Sequence, residues 1–90
     1  MFAAIMHLGI DARRAPEAAA AFTAHLLPRV AASEGLLAGH WLDPVDGTGF
    51  GFVLFETREQ AVAAMPPQLD WSAPGVTIRG VDVRRVAASA

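Results

Sequence analysis

The sequence contains no cysteine, no lysine and no asparagine, and the first two absences each remove a class of chemistry. Without cysteine there are no disulfides, thiolate metal sites or cysteine nucleophiles. All seven basic residues are arginine, so a Schiff-base lysine and the lysine of a phosphate-binding P-loop are excluded. No Ser-His-Asp arrangement, glycine-rich phosphate loop or paired-carboxylate motif is recognisable either. The sequence therefore carries no motif of catalytic specificity.

The charge pattern and the hydrophobic runs disfavour two kinds of partner. The net charge is −2, and the basic residues cluster only as the pairs 13–14 and 84–85, which is too little for a nucleic-acid surface. No apolar run approaches the ~20 residues that span a bilayer. The apolar segment Met1–His7 lacks the basic flank of a signal peptide. We expect a soluble cytoplasmic protein that binds neither nucleic acid nor membrane.

The chain is short and rich in hydrophobic residues. Its 90 residues predict one domain, residues 1–90, at a size where only about 60% of the unfolded surface can be buried. Hydrophobic residues make up 53% of the chain and charged residues only 18%. Because the interior of so small a domain is limited, part of the apolar surface is expected to face a partner.

The first half of the chain predicts a strand, a helix and a second strand. Phe2–Ile10 is apolar except for one histidine, which is typical of a buried strand. Pro16 suits the first turn of a helix, and Gly35 suits its end. The apolar stripe of this helix recurs at every fourth residue, at Ala18, Phe22, Leu26 and Val30. Pro28 interrupts that pattern and predicts a kink or an early break.

The second half predicts a hairpin, a short helix and a last strand. The apolar runs Leu36–Leu42 and Phe50–Glu56 flank a dense turn cluster, so they form an antiparallel hairpin. Thr57–Gln60 matches the capping-box pattern of a helix start, and two prolines end that helix after a few turns. Val76–Val86 alternates apolar and polar residues as an edge strand does. The predicted element order is βαββαβ.

This order predicts an α+β fold of ferredoxin-like type, with a four-stranded antiparallel sheet. Both crossover helices lie on one face because each connection is right-handed, and the other face is left bare. Since both helices are rich in alanine, we expect large sheet side chains to fill the space beneath them, namely Phe2, Met6, Phe50 and Phe52. The bare face then carries Ile5, His7, Val53 and Phe55. We expect a second copy to cover this face in a homodimer.

Two segments resemble the antibiotic-biosynthesis monooxygenase branch of the dimeric α+β barrel superfamily. They are Ser33–Gly35 before the second strand and Phe52–Glu56 before a short helix. The resemblance spans nearly the whole chain and implies two ferredoxin-like subunits packed sheet on sheet around a small cavity. Oxygenases of that family, both cofactor-free and haem-degrading, typically use Asn, Trp and His around the cavity.

The sequence departs from this family at the positions that carry its chemistry. It has no Asn, and Thr57 and Arg58 stand where the family has a Trp after the third strand. The usual His of the second helix is also missing, with Ala61 to Met65 in its region. The resemblance therefore supports the fold and the pairing, and no catalytic residue is carried over from it.

Several residues are candidates for a site in the cavity between the two sheets. His7 faces it in the predicted arrangement and could act as an acid or base, or it is an ordinary interface histidine. His40 and Trp41 lie on opposite faces of the second strand, so only one of them lines the cavity. Trp71 is either a lid over the mouth of the cavity or a core residue. Arg79 either binds an anionic substrate or is a solvent-exposed residue at the edge of the sheet. The remaining expected lining residues are Ile5, Val53 and Phe55.

No metal or cofactor site is expected, because the three histidines lie on separate elements without the close spacing of metal motifs. Two functions remain open. In the first, the homodimer binds a small lipophilic molecule in the inter-sheet cavity, or the face serves only to complete the core. In the second, it is a cofactor-independent monooxygenase-like enzyme that acts on an aromatic or polyketide-type compound with His7 as base.

Overall fold

The computed structural model describes residues 1–90. Its four strands are β1 (Phe2–Ile10), β2 (Leu36–Trp41), β3 (Thr48–Phe55) and β4 (Val76–Arg85). Its α-helices are α1 (Ala15–Ala21), α2 (Leu27–Ala31) and α3 (Arg58–Ala63). The strands form one antiparallel sheet in the order β2-β3-β1-β4. The predicted ferredoxin-like α+β fold is confirmed.

Helices α1 and α2 belong to one helical segment that a π-helical turn connects. The segment begins with a 3-10 turn, Ala12–Arg14, and the π turn occupies Phe22–Leu26. Within that turn the Leu27 N–H donates to the Phe22 carbonyl, five residues back. Of the kink or early break predicted at Pro28, the early break does not occur, and a π-helical turn, itself an irregularity of the helix, lies just before the proline. The segment continues through Pro28 to Ala31.

Helix α3 starts at the predicted capping box. The Thr57 hydroxyl accepts a hydrogen bond from the Gln60 N–H at 3.2 Å, and the Gln60 side chain accepts one from the Thr57 N–H at 3.1 Å. Both exposed amides at the helix start are thereby satisfied. Ala61 is fully buried against the sheet, so this short helix contributes to the same core as α1 and α2.

The hairpin between β2 and β3 turns at Asp46 and Gly47, which both have positive φ angles of 51° and 75°. Val45 and Thr48 exchange two backbone hydrogen bonds across this turn, at 2.9 and 3.0 Å. Two central residues with positive φ match the right-handed twist of the strands. Strand β3 consequently begins at Thr48, two residues earlier than predicted.

The core lies between the helices and one face of the sheet. Phe2 and Met6 face the helices as predicted, but the assignment of β3 is wrong. Val53 and Phe55 are fully buried beneath the helices, with 0% of their surface exposed. The register pairs Ile5 with Phe52 and His7 with Phe50, so these residues lie on the opposite, open face.

The reversal of β3 has a physical cause in the ring of Trp41. This ring lies on the helix side of the sheet, where a Cβ added at Gly39 or Gly51 would come within 2.7 or 2.9 Å of it. The space beneath the alanine-rich helices is therefore filled by Trp41, Met65 and Trp71. Phe50 and Phe52 are not needed there, and they face away from the core.

The corrected faces predict different costs for two valine-to-alanine substitutions. Val53 is fully buried, whereas Val81 on β4 is 38% exposed. We expect Val53→Ala to lower the free energy of unfolding by about 2–3 kcal/mol, because it removes two buried methyl groups and leaves a cavity. Val81→Ala should cost less than about 1 kcal/mol. Urea unfolding of both variants measures the difference, and equal losses would contradict the assignment.

Candidate functional site

A cavity of about 400 Å³ opens between the helical segment and the helix-facing side of the sheet. Thirteen of its seventeen lining residues are hydrophobic. The lining consists of Leu8, Ile10, Ala15, Ala18, Ala19, Phe22, Thr23, Leu26, Trp41, Leu42, Asp43, Pro44, Gly49, Phe50, Trp71, Ala73 and Val76. Its size falls within the range of small-molecule sites in proteins, which are typically about 300–1,000 Å³ and mostly apolar.

Small residues create the space. Gly49 pairs with Leu8 on the neighbouring strand. Because Gly49 has no side chain, its part of the cavity floor is empty. A Cβ added at Gly49 would meet Leu8 and Ile10 only at ordinary contact distances of 3.7 Å. The roof is built from alanines of α1, among them Ala15 and Ala18. Because Gly49 and these alanines carry no large side chain, the helix and the sheet do not close against each other at these positions.

Two aromatic rings form one wall of the cavity. Trp41 and Phe22 meet edge to face, with ring centroids 5.1 Å apart and an interplanar angle of 63°. Such a pair is a favoured aromatic geometry. Phe22 comes from the π-helical turn, which places a side chain of the helical segment directly against β2. This wall of the cavity is therefore apolar and aromatic.

Trp71 forms another part of the lining and is fixed in the core. Its side chain is 3% exposed, and its indole N–H donates to the Ala64 carbonyl at 2.8 Å. Of the two roles predicted for Trp71, the structure places it as a core residue that also lines the cavity. Its buried donor is satisfied by the end of α3.

The turn that carries Trp71 is held by Asp70. The Asp70 carboxylate accepts hydrogen bonds from the Ser72 hydroxyl at 2.6 Å and from the Ser72 N–H at 2.8 Å. These bonds, the hydroxyl's first, lower the pKa of Asp70 below its ordinary value. Because the pKa of Asp70 is lower in the folded protein, the two hydrogen bonds stabilise the turn at pH values above the ordinary pKa of aspartate. This stabilisation is lost as the pH falls through the lowered pKa. The turn is therefore held at neutral pH.

The lining offers almost no charge. Apart from the indole N–H groups of Trp41 and Trp71, its polar side chains are Thr23 and Asp43, and Asp43 is the one acidic residue. No arginine or histidine lines the cavity. The chain has no group of three or more His, Asp or Glu side chains placed to hold a metal ion. None of its helices has both the length and the apolar character to cross a membrane.

The sequence-predicted site residues do not come together. Trp41 and Trp71 line the cavity beneath the helices. His40 pairs with Phe52 and therefore lies on the open face, the same face as His7. Val53 and Phe55 are core residues outside this lining, so their predicted place on the bare face is wrong. Four predicted residues lie on the open face of the sheet or reach across it: Ile5, His7, His40 and Arg79.

On the open face, Arg79 lies across β1. Its guanidinium passes over Gly9, where an added Cβ would come within 2.7 Å of Nε, and Nη1 donates to the Thr48 hydroxyl at 3.3 Å. The register of β4 shifts between His7 and Leu8, beside this arginine. His7 is exposed and contacts Phe50 edge to face, with centroids 5.1 Å apart. These polar groups are separated from the cavity by the sheet itself.

The sequence predictions missed several cavity residues, chiefly Phe22, Gly49 and the alanines of α1. One signal was present in the alternation of β3, where Gly49 and Gly51 share a face with the two buried residues of that strand. Two glycines in a row on one face indicate that another group lies against the backbone there. The strand register, which pairs Gly51 of β3 with Trp41 of β2, identifies that group as the Trp41 ring.

Comparison with known proteins supports the fold. No family model matches the chain, and no curated protein matches its sequence. A crystal structure of a mutant of MhuD, with two manganese protoporphyrin IX molecules bound per active site, has a similar structure with a TM-score of 0.70. The match covers 100% of this chain and 98% of that one at 21% sequence identity. The two chains therefore share the ferredoxin-like α+β fold.

Proposed function

We propose that the chain binds a small, uncharged, mainly apolar molecule in the cavity between the helical segment and the sheet. The observation that carries the proposal is the cavity itself, about 400 Å³ in volume with thirteen hydrophobic lining residues. The sequence prediction placed a lipophilic ligand between two sheets. The proposal keeps the class of ligand and moves it to the other side of the sheet, where one chain already encloses space.

The porphyrin bound by MhuD raises the question of whether this cavity fits such a group. Protein-bound metalloporphyrins are ligated by His, Cys, Met or Tyr, and their carboxylates favour cationic partners. The lining contains none of these ligand types and no arginine, while Asp43 would repel a carboxylate. These residues do not fit a ligated metalloporphyrin, so the proposed ligand is a metal-free molecule without negative charge.

The alternative function, a cofactor-independent monooxygenase acting on an aromatic or polyketide-type compound, stays a prediction. It assigns the role of base to His7, which lies on the open face. A substrate of that enzyme would have to bind on the open face, opposite the cavity. Asp43 is the one ionisable side chain in the cavity lining, so acid–base chemistry has little support there.

Filling the floor of the cavity should abolish ligand binding. The probe is N-phenyl-1-naphthylamine, an uncharged aromatic compound whose fluorescence rises in apolar surroundings. We expect saturable binding to the wild type and at least about tenfold weaker binding to Gly49→Val, because the new side chain occupies the floor. Gly80→Val is the matched control, since a Cβ at Gly80 has nothing within 4 Å.

Thermal unfolding of both glycine variants establishes that they are folded at the temperature of the titration. Equal affinity of the wild type and Gly49→Val would place the probe outside the cavity. A wild type that shows no saturable binding would overturn the proposed function.

We also propose that the chain forms a homodimer through the open face of the sheet. The apolar side chains on this face lie on adjacent strands and form one patch, consisting of Ile5, Phe50, Phe52 and Leu54. Phe52 alone is 37% exposed. A contiguous apolar patch of this kind is typical of an interface, and a self-complementary sheet face suits two-fold pairing. A second copy is therefore the proposed occupant.

A charge placed on the open face should separate the dimer. We expect sedimentation of the wild type to give twice the 9.5 kDa mass of one chain, and Phe52→Glu to give a monomer because pairing would bury its carboxylate. Val81→Glu is the control: Val81 is 38% exposed but pairs with Met6, whose side chain faces the helices. A monomeric wild type, or dimers of both variants, would contradict the proposed interface.

A further inference from the structure

The indole N–H of Trp41 is the one buried side-chain polar atom without a hydrogen-bond partner. The other tryptophan of the chain provides the comparison, since the Trp71 N–H is bonded to the Ala64 carbonyl. A buried donor without an acceptor destabilises the folded protein, and such atoms are rare. An unpaired donor in the residue that forms a cavity wall is therefore a place where a ligand atom can contribute affinity.

The ring lies with this donor over β3, the strand that contributes Gly49 to the floor of the cavity. The benzene edge of the indole lies over Gly39, on its own strand, whereas Nε1 lies over Gly51 of β3, 3.0 Å from an added Cβ. Two residues earlier on the same face of β3, Gly49 belongs to the cavity floor. The pyrrole edge, which carries the N–H, therefore lies over β3, the strand that contributes Gly49 to the floor.

Packing on both sides holds the ring in this orientation. The sheet backbone at the two glycines lies on one side, and Phe22 contacts the ring edge to face at 5.1 Å. Phe22 also lines the cavity and belongs to the π-helical turn, a local irregularity that often accompanies functional sites. Both rings line the cavity, so a molecule bound there would contact them, and it would reach the fully covered N–H by moving a neighbouring group.

We propose that Nε1 of Trp41 donates a hydrogen bond to an oxygen of the bound molecule. The inference rests on the proposed function and specifies its ligand: an uncharged aromatic or lipophilic compound with a carbonyl-type acceptor, such as an aryl ketone or a quinone. An indole nitrogen can only donate, so the ligand must supply the acceptor. A carboxylate is disfavoured because Asp43 is the one charged lining residue and no cation lies nearby in the lining.

The experiment compares 9-fluorenone with fluorene, which have nearly the same shape and differ in a carbonyl and a methylene group. Both are titrated as competitors of N-phenyl-1-naphthylamine. We expect the wild type to bind fluorenone about tenfold more tightly, although its carbonyl makes it the more soluble compound in water. Trp41→Phe removes the donor and keeps an aromatic ring, and it should abolish this preference.

A second measurement needs no variant. In the 15N-labelled protein the two indole N–H groups give separate NMR signals, and the Trp71 signal is the internal control. Fluorenone should move the Trp41 indole proton downfield while fluorene does not, because only the ketone accepts a hydrogen bond. The Trp71 proton should stay bonded to Ala64 with either compound.

The outcomes separate the inference from the function on which it rests. If both compounds bind with equal affinity, or if the Trp41 indole proton responds alike to both, the hydrogen bond is wrong and the cavity proposal stands. If neither compound nor the fluorescent probe binds to the wild type, the proposed function fails and the inference fails with it.

Discussion

The Trp41 ring lies against two glycines of the sheet, Gly39 and Gly51, and this contact determines how the sheet packs against the helices. A side chain at Gly39 or Gly51 would collide with the ring, so the indole can lie flat on the helix side of the sheet only because both positions lack a Cβ. The ring then packs against Phe22, in the middle of the helical segment. Beyond them, alanines above and Gly49 below leave a gap that no side chain fills, and this gap is the cavity.

The position of Trp41 also determines which side chains lie on each face of the sheet. Because side chains alternate along a strand, placing Trp41 and its glycine partners under the helices turns Val53 inward and Phe52 outward. The helix side thereby acquires an apolar cavity, and the open side acquires an apolar patch flanked by His7 and Arg79. A ligand and a second copy of the chain would consequently bind to opposite faces, and Phe50 is the one residue that belongs both to the cavity lining and to the open-face patch.

Much of the fold could be predicted from the sequence because it depends on local signals. The apolar run of β1, the Thr57 capping box and the turn at Gly47 each determine an element through interactions within a few residues. The face of β3 could not be derived in this way. It depends on which strand supplies the bulk beneath the helices, and that bulk comes from Trp41 on β2, not from the phenylalanines of β3. Long-range packing of this kind leaves only an indirect trace, the alternating glycines.

Intermolecular nuclear Overhauser effects determine where the small molecule binds. Unlabelled N-phenyl-1-naphthylamine is added to 13C-labelled protein, and contacts between its protons and the methyl groups are recorded. We expect contacts to the methyl groups of Ala18 and Leu8, which line the cavity. Contacts to Ile5 and Leu54 instead would place the ligand on the open face and rule out binding in the cavity.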